Sequence, residues 1–138
     1  MKHRVRPLAL LVLIASGCGV NSLLDKLDAE GEKSVDLACS CTNVFPDRAA
    51  CEAMFGSFFT FFDRGCVEDA LAEDKDGSKA TLKCILDKSR DYNKCLEDNL
   101  DCNDYTSIEG CEQNFAGECP ELPAAVNTAL QACGGTTD

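Results

Sequence analysis

The sequence predicts an all-α fold: a small, disulfide-stapled helical bundle of five to six short helices, with an internal echo that suggests two degenerate repeats. Three observations lead there. Apolar residues recur at spacings of three and four through most of the chain, the mark of a helix with one buried face. No stretch shows the convincing apolar–polar alternation of a half-buried strand. Ten of the eleven cysteines are scattered over residues 39–133, an even set of the kind that cross-links small exported domains.

The elements follow in order. Residues 18–33 read as a tether, polar apart from Leu23, Leu24 and Leu27, with room for one loose helical turn. The folded body spans 34–133. Its first helix starts at Ser34 and stops near Asn43. Pro46 suits the first turn of the second, because its missing N–H would be unpaired there anyway. That helix carries Ala49, Ala50, Met54, Phe55, Phe58, Phe59 and Phe62 and breaks at Gly65. The run Phe58-Phe59-Thr60-Phe61-Phe62 also fits a strand. A third helix runs from Cys66 to Glu73, ended by Asp74-Lys75-Asp76-Gly77. Ser78 caps the longest helix, 79–100, whose buried stripe holds Leu82, Ile85, Leu86, Tyr92, Leu96 and Leu100. A fifth helix, 107–116, starts on Ser107. The last, 122–133, has Pro123 in its first turn and Gly134 beyond its end. Residues 134–138 form a flexible tail.

The echo lies in the cysteines. Cys41, nine residues, then Cys51-Glu52-Ala53-Met54-Phe55-Gly56 resembles Cys102, eight residues, then Cys111-Glu112-Gln113-Asn114-Phe115-Ala116. The ten split five and five, with Cys39, Cys41, Cys51, Cys66 and Cys84 in one half and Cys95, Cys102, Cys111, Cys119 and Cys133 in the other. Cys84 and Cys95 share a helix face but lie about 16 Å apart. A bridge needs Cα atoms within roughly 7 Å, so each must bond another element. Cys39 and Cys41 fall on nearly opposite sides of a helix and need different partners. Antiparallel hairpins would allow Cys41–Cys51, Cys66–Cys84 and Cys102–Cys111. Pairing stays open at this level.

The N-terminus reads as an export signal. Lys2, Arg4 and Arg6 precede a short apolar run, Leu8 to Ala15, well below the ~20 residues of a spanning helix. The segment Ala15-Ser16-Gly17-Cys18 resembles the lipobox of bacterial lipoproteins, although Leu is usual where Ala15 stands. That resemblance implies a signal peptide over 1–17, cleavage before Cys18, and a diacylglycerol thioether on Cys18 as the new N-terminus. Ala15 and Gly17 would equally suit ordinary signal cleavage. Parity favours the lipid, since removing Cys18 leaves the even set. Gly19, rather than Asp, follows the anchor, which by the same resemblance favours the outer membrane.

Charge and composition exclude several activities. Cleavage removes three cations and no acids, taking the net charge from −11 to −14. So acidic a chain repels nucleic acid, and we expect no nucleic-acid partner. The sole histidine, His3, leaves with the signal, removing the commonest general base and Ser-His or Cys-His nucleophile pairs. No Cys-x-x-Cys occurs, so zinc is not expected. Cys39-Ser40-Cys41 could serve as an exchange dithiol, but no βαβ pattern surrounds it. Asp74-Lys75-Asp76-Gly77 and Asp101-Cys102-Asn103 with Glu112 are partial calcium-loop patterns, each missing required positions. Pairs such as Glu68/Asp69 and Glu73/Asp74 are ordinary in a chain with 24 acids. Phe55, Phe58, Phe59 and Phe62 either pack in the core or leave an exposed patch for a partner.

With its signal, its scattered cysteines and the segment Cys119-Pro120-Glu121-Leu122-Pro123, the chain resembles cysteine-rich lipoproteins of bacteria. The resemblance brings no activity with it. The expectation is a non-enzymatic structural or binding module, held to the envelope membrane through lipid on Cys18, with an envelope protein as partner and no cofactor, catalytic residue or metal ligand. The competing expectations are a thiol–disulfide exchanger using Cys39 and Cys41, and a weak divalent-cation binder.

Overall fold

The computed structural model describes residues 19–41, 47–56, 63–104, 106–115 and 117–134, and the structural statements below concern these. They form six helices: α1 Val20–Ala38, α2 Arg48–Gly56, α3 Arg64–Ala72, α4 Lys75–Asn99, α5 Thr106–Phe115 and α6 Ala124–Cys133. No strand occurs among the described residues, only an isolated bridge between Asp101 and Asp104. The all-α, disulfide-rich class is as expected; several boundaries are not.

The largest correction is the tether. Residues 20–33 form the first three turns and more of α1, a 19-residue helix. Val20, Leu23, Gly31 and Ala38 are buried along one face, and Leu24 and Leu27 pack beside them. These apolar positions continue a single stripe into the part of the chain assigned to the body. Burying Leu23 stabilises the fold by about 1.5–3 kcal/mol, and the partly buried Leu24 and Leu27 add to it, which holds the segment down.

Helix starts were misplaced for a common reason: an aspartate upstream takes the cap. Asp74 accepts the Gly77 N–H (3.0 Å), so α4 begins four residues early. Ser78, the expected cap, is instead fully buried and donates its hydroxyl to the Leu71 carbonyl (2.9 Å). Asp63 caps α3 through Cys66 N–H (2.8 Å), and Asp47 accepts from Ala50 N–H (2.7 Å) at the start of α2. At α5, Asp104 takes both the Thr106 hydroxyl (2.7 Å) and its N–H (3.0 Å). Those bonds, the hydroxyl first, hold the Asp104 carboxyl below its ordinary pKa. Ser107, the expected cap there, accepts from Asp101 N–H instead (3.1 Å).

The two long helices lie side by side and run parallel. Val20 and Leu23 share a cluster with Leu82 and Leu86. Further along, Glu30 meets Asn93, Lys33 pairs with Glu97 (2.8 Å), and beyond both helix ends Cys41 bonds Cys102. Residue numbers climb together on both helices. We call the end where they start the base. Helix α3 returns toward it: Arg64 reaches Asp25 and Asp28 of α1, while Ala72 lies beside Gly19 and Val20. Helix α6 starts at the base, where Pro123 packs on Gly77, and climbs to Cys133, which bonds Cys66 of α3.

The core has two apolar clusters. The lower gathers Val20, Leu23, Leu71, Leu82, Leu86 and Val126. The upper joins Leu96, Ile108 and Cys111, with Leu37, Tyr92 and Leu100 packed against them. Between them sits a polar layer. The Asn93 amide, 1% exposed, donates to the Glu30 carbonyl (2.9 Å) and carboxylate (2.8 Å) and accepts from Ser34 Oγ (2.6 Å). Satisfied buried polar groups of this kind fix register, because a slipped pairing would leave them bare.

All ten cysteines of the body are bonded, with Cα separations of 4.9 to 5.7 Å: Cys39–Cys51, Cys41–Cys102, Cys66–Cys133, Cys84–Cys119 and Cys95–Cys111. None of the three hairpin pairings occurs. The reason is the parallel α1/α4 pair, which brings the loops after both helices together and joins Cys41 to Cys102 rather than to the nearer Cys51. The echo has a counterpart in the bonding. Cys51 and Cys111 each tie a short helix back to the end of the long helix before it, through Cys39 and Cys95. Helix order long–short–short occurs twice, α1–α3 and α4–α6. The halves divide before α4, however, so the cysteines split four and six, not five and five.

Three outcomes follow from this architecture. Leu23→Ala lowers unfolding free energy by about 2–5 kcal/mol in denaturant titration; a flexible tether would show no change. A Cβ on Gly77 would sit 2.4 Å from Pro123 Cγ, so Gly77→Ala destabilises by about 1–2 kcal/mol despite alanine's better helix propensity. Peptide mapping without reduction recovers the long-range pairs Cys41–Cys102 and Cys66–Cys133; recovery of Cys41–Cys51 instead would contradict the parallel pair.

Candidate functional site

Helices α1, α4 and α6 all begin at the base, so three N-terminal dipole ends, each equivalent to about half a positive charge, face one way. Gly19 supplies α1 with no side-chain cap, so the first N–H groups of α1 lack that partner. An open cleft of about 590 Å³ lies here, lined by Gly19, Val20, Asn21, Glu68, Asp69, Ala72, Lys75 and Lys79.

Two kinds of charge border the cleft. On the α3 side, Arg64 gathers acids from two helices. Its Nη2 bonds Asp25 (2.7 Å), its Nε bonds Glu68 (2.8 Å), and its Nη1 reaches Asp28. Glu68 first, then Asp28 and Asp25, raise the guanidinium pKa and keep it charged. This cross-link pins α3 against the first turns of α1. On the α4 side, Lys75 and Lys79 are one turn apart on the same face. Neither is ion-paired among the described residues, whereas Lys33, Arg48, Arg64, Arg90 and Lys94 all are. The cleft therefore combines ammonium groups that have no acid partner among the described residues with the carboxylate of Asp69, a set of charges suited to binding a group that carries both signs.

The sequence-predicted residues fall elsewhere. Cys18 and residues 1–17 lie outside the described residues, as do Phe58, Phe59 and Phe62; of Phe55 only the backbone, inside α2, is described. Cys39 and Cys41 are buried, and each bonds a different partner, so they do not form a Cys-x-Cys pair with one another. The calcium-like acids serve the fold: Asp74 caps α4, and Asp101 accepts from Asn103 N–H (2.9 Å). Among the described residues no group of three or more His, Cys, Asp or Glu is arranged to hold a metal. Of the adjacent acid pairs, Glu68 bonds Arg64 and Asp74 caps α4.

Sequence reasoning missed the cleft altogether. In sequence Lys75 belongs to a helix-ending turn and Lys79 opens the next helix, with nothing to join either to Gly19. Gly19 and Lys79 are 60 positions apart, and only the parallel pairing of α1 and α4 joins them. Among the described residues no helix is long and apolar enough to cross a membrane. Comparison with known proteins finds no relative: no family model matches the chain, and neither a curated protein nor a solved structure is similar to it.

Proposed function

We propose that this protein is an exported lipoprotein, attached to the bacterial cell envelope by acyl chains on Cys18, whose cross-linked helical domain works as a non-enzymatic structural or binding module. One observation carries the reading. The five bridges consume ten cysteines among themselves, so Cys18 alone of the eleven has no partner left within the chain. A thioether to lipid gives that sulfur a chemical fate. The bridges also support export, since such bonds persist outside the reducing cytosol. Two or more acyl chains, at about 0.8 kcal/mol per buried CH₂, anchor stably. The outer membrane is the favoured destination, on Gly19 following the anchor.

The domain's contribution in this reading is a fixed shape. Without a histidine in the mature chain, and with the ten cysteines of the body tied up in disulfides, its means of action is contact rather than turnover. Intact mass of membrane-extracted protein tests the anchor. The expected mass exceeds that of residues 18–138 by the acyl groups, and reduction adds the ten hydrogens of five bridges. Cys18→Ser moves the protein wholly into the aqueous fraction. Wild-type protein with an unmodified Cys18 in that fraction would overturn the proposal.

A further inference from the structure

Resting on the anchor reading, we infer that the base of the bundle is a docking face for phospholipid head groups, so that the domain stands directly on the bilayer with Lys75 and Lys79 against lipid phosphates. The argument is covalent. Only Gly19 separates Cys18 from α1, and two residue steps span at most about 7 Å. A head-group layer is itself about 5–8 Å deep. Helix α1 cannot unwind to lengthen the link without exposing Val20 and Leu23, which belong to the lower core. An acylated Cys18 seated at the top of the hydrocarbon therefore brings Gly19, Val20 and the cleft beside them to head-group level. Helix α4, 25 residues long, then rises about 37 Å from the surface and carries Glu97 and Asp98 away from it.

Charge selects the kind of lipid. A mature chain of net charge −14 is repelled by an anionic surface. The cleft itself is mixed: Lys75, Lys79, Asp69 and the uncapped start of α1 all line it. That matches a zwitterionic head group: phosphate to the two ammonium groups and the helix N–H groups, and the lipid ammonium to Asp69. The occupant is thus a phosphoethanolamine or phosphocholine head group of the membrane that holds the anchor.

The chain's own lysines report the outcome. Acylated full-length mature protein is placed in vesicles of phosphatidylethanolamine and phosphatidylcholine and treated with a water-soluble amine-acylating reagent; labelling is read at each lysine by mass spectrometry. Relative to the Cys18→Ser protein in solution, labelling of Lys75 and Lys79 falls about threefold or more, while Lys33 and Lys94 toward the far end are unchanged. A 12-residue Gly/Ser spacer inserted after Cys18 has a root-mean-square reach of about 19 Å and restores labelling of both. Acylated, vesicle-bound protein whose Lys75 and Lys79 label as in solution overturns the inference and leaves the anchor reading standing. Protection that survives the spacer overturns it too, because the cover is then not the bilayer held close by the short link. A mass without acyl groups overturns the anchor reading and this inference together.

Discussion

The parallel pairing of α1 and α4 is the constraint from which the remaining structure follows. Neighbouring helices joined by a short turn run antiparallel. Two parallel helices need the chain to travel back the full length of the bundle between them. Residues 39–74 do this, and α3 is the descending limb of that return. Register is set at mid-height by Asn93 with Glu30 and Ser34, and at the top by Cys41–Cys102. A slip of one turn would break the first set and strand buried polar groups, at about 1–3 kcal/mol each. It would also carry the two sulfurs beyond bonding reach.

Cross-links matter here because the core is small and divided. Two apolar clusters, separated by a polar layer, leave each helix with few large buried side chains. The bridges act where burial is thin. Cys39–Cys51 and Cys95–Cys111 close short loops of separation 12 and 16, and hold α2 and α5 to the ends of the long helices. Cys41–Cys102 and Cys66–Cys133 close separations of 61 and 67 and so restrict the unfolded chain most. Their contributions do not add, since each bridge shortens the loops the others close. The result is a body whose ends and sides are fixed relative to one another.

That rigidity gives the base its meaning. Helices α1, α4 and α6 start at the same end of the bundle, and Arg64 ties α3 to α1 near that end through Asp25, Asp28 and, within α3, Glu68. Surface ion pairs of this sort contribute little individually, about 0–1 kcal/mol, but here one guanidinium joins two helices at a fixed height. A rigid body attached at a single residue directly beside its own end has little freedom to tilt. Orientation at the membrane is then a property of the fold rather than of a linker.

Much of this was legible beforehand. The helical class came from apolar spacing and the bonded state of the ten sulfurs from their even number; Cys39 and Cys41 do take separate partners, although both lie past the end of α1 rather than on opposite sides of a helix. The stripe through Val20, Leu23, Leu27 and Gly31 is also present in the sequence, but charged residues outnumber apolar ones around it and make the segment read as a tether. The caps at Asp74 and Asp104 were readable too, but serine competed with aspartate for the role. These are local properties, set by residues within a turn or two of one another, and a one-dimensional reading can reach them. What only the tertiary structure decided was which helices lie together and in which direction: the parallel α1/α4 pair, the bonds across 61 and 67 residues, and the meeting of Gly19 with Lys75 and Lys79. Those depend on which of several amphipathic faces bury against each other, an energy that belongs to pairs of elements distant in the chain and that no single segment carries.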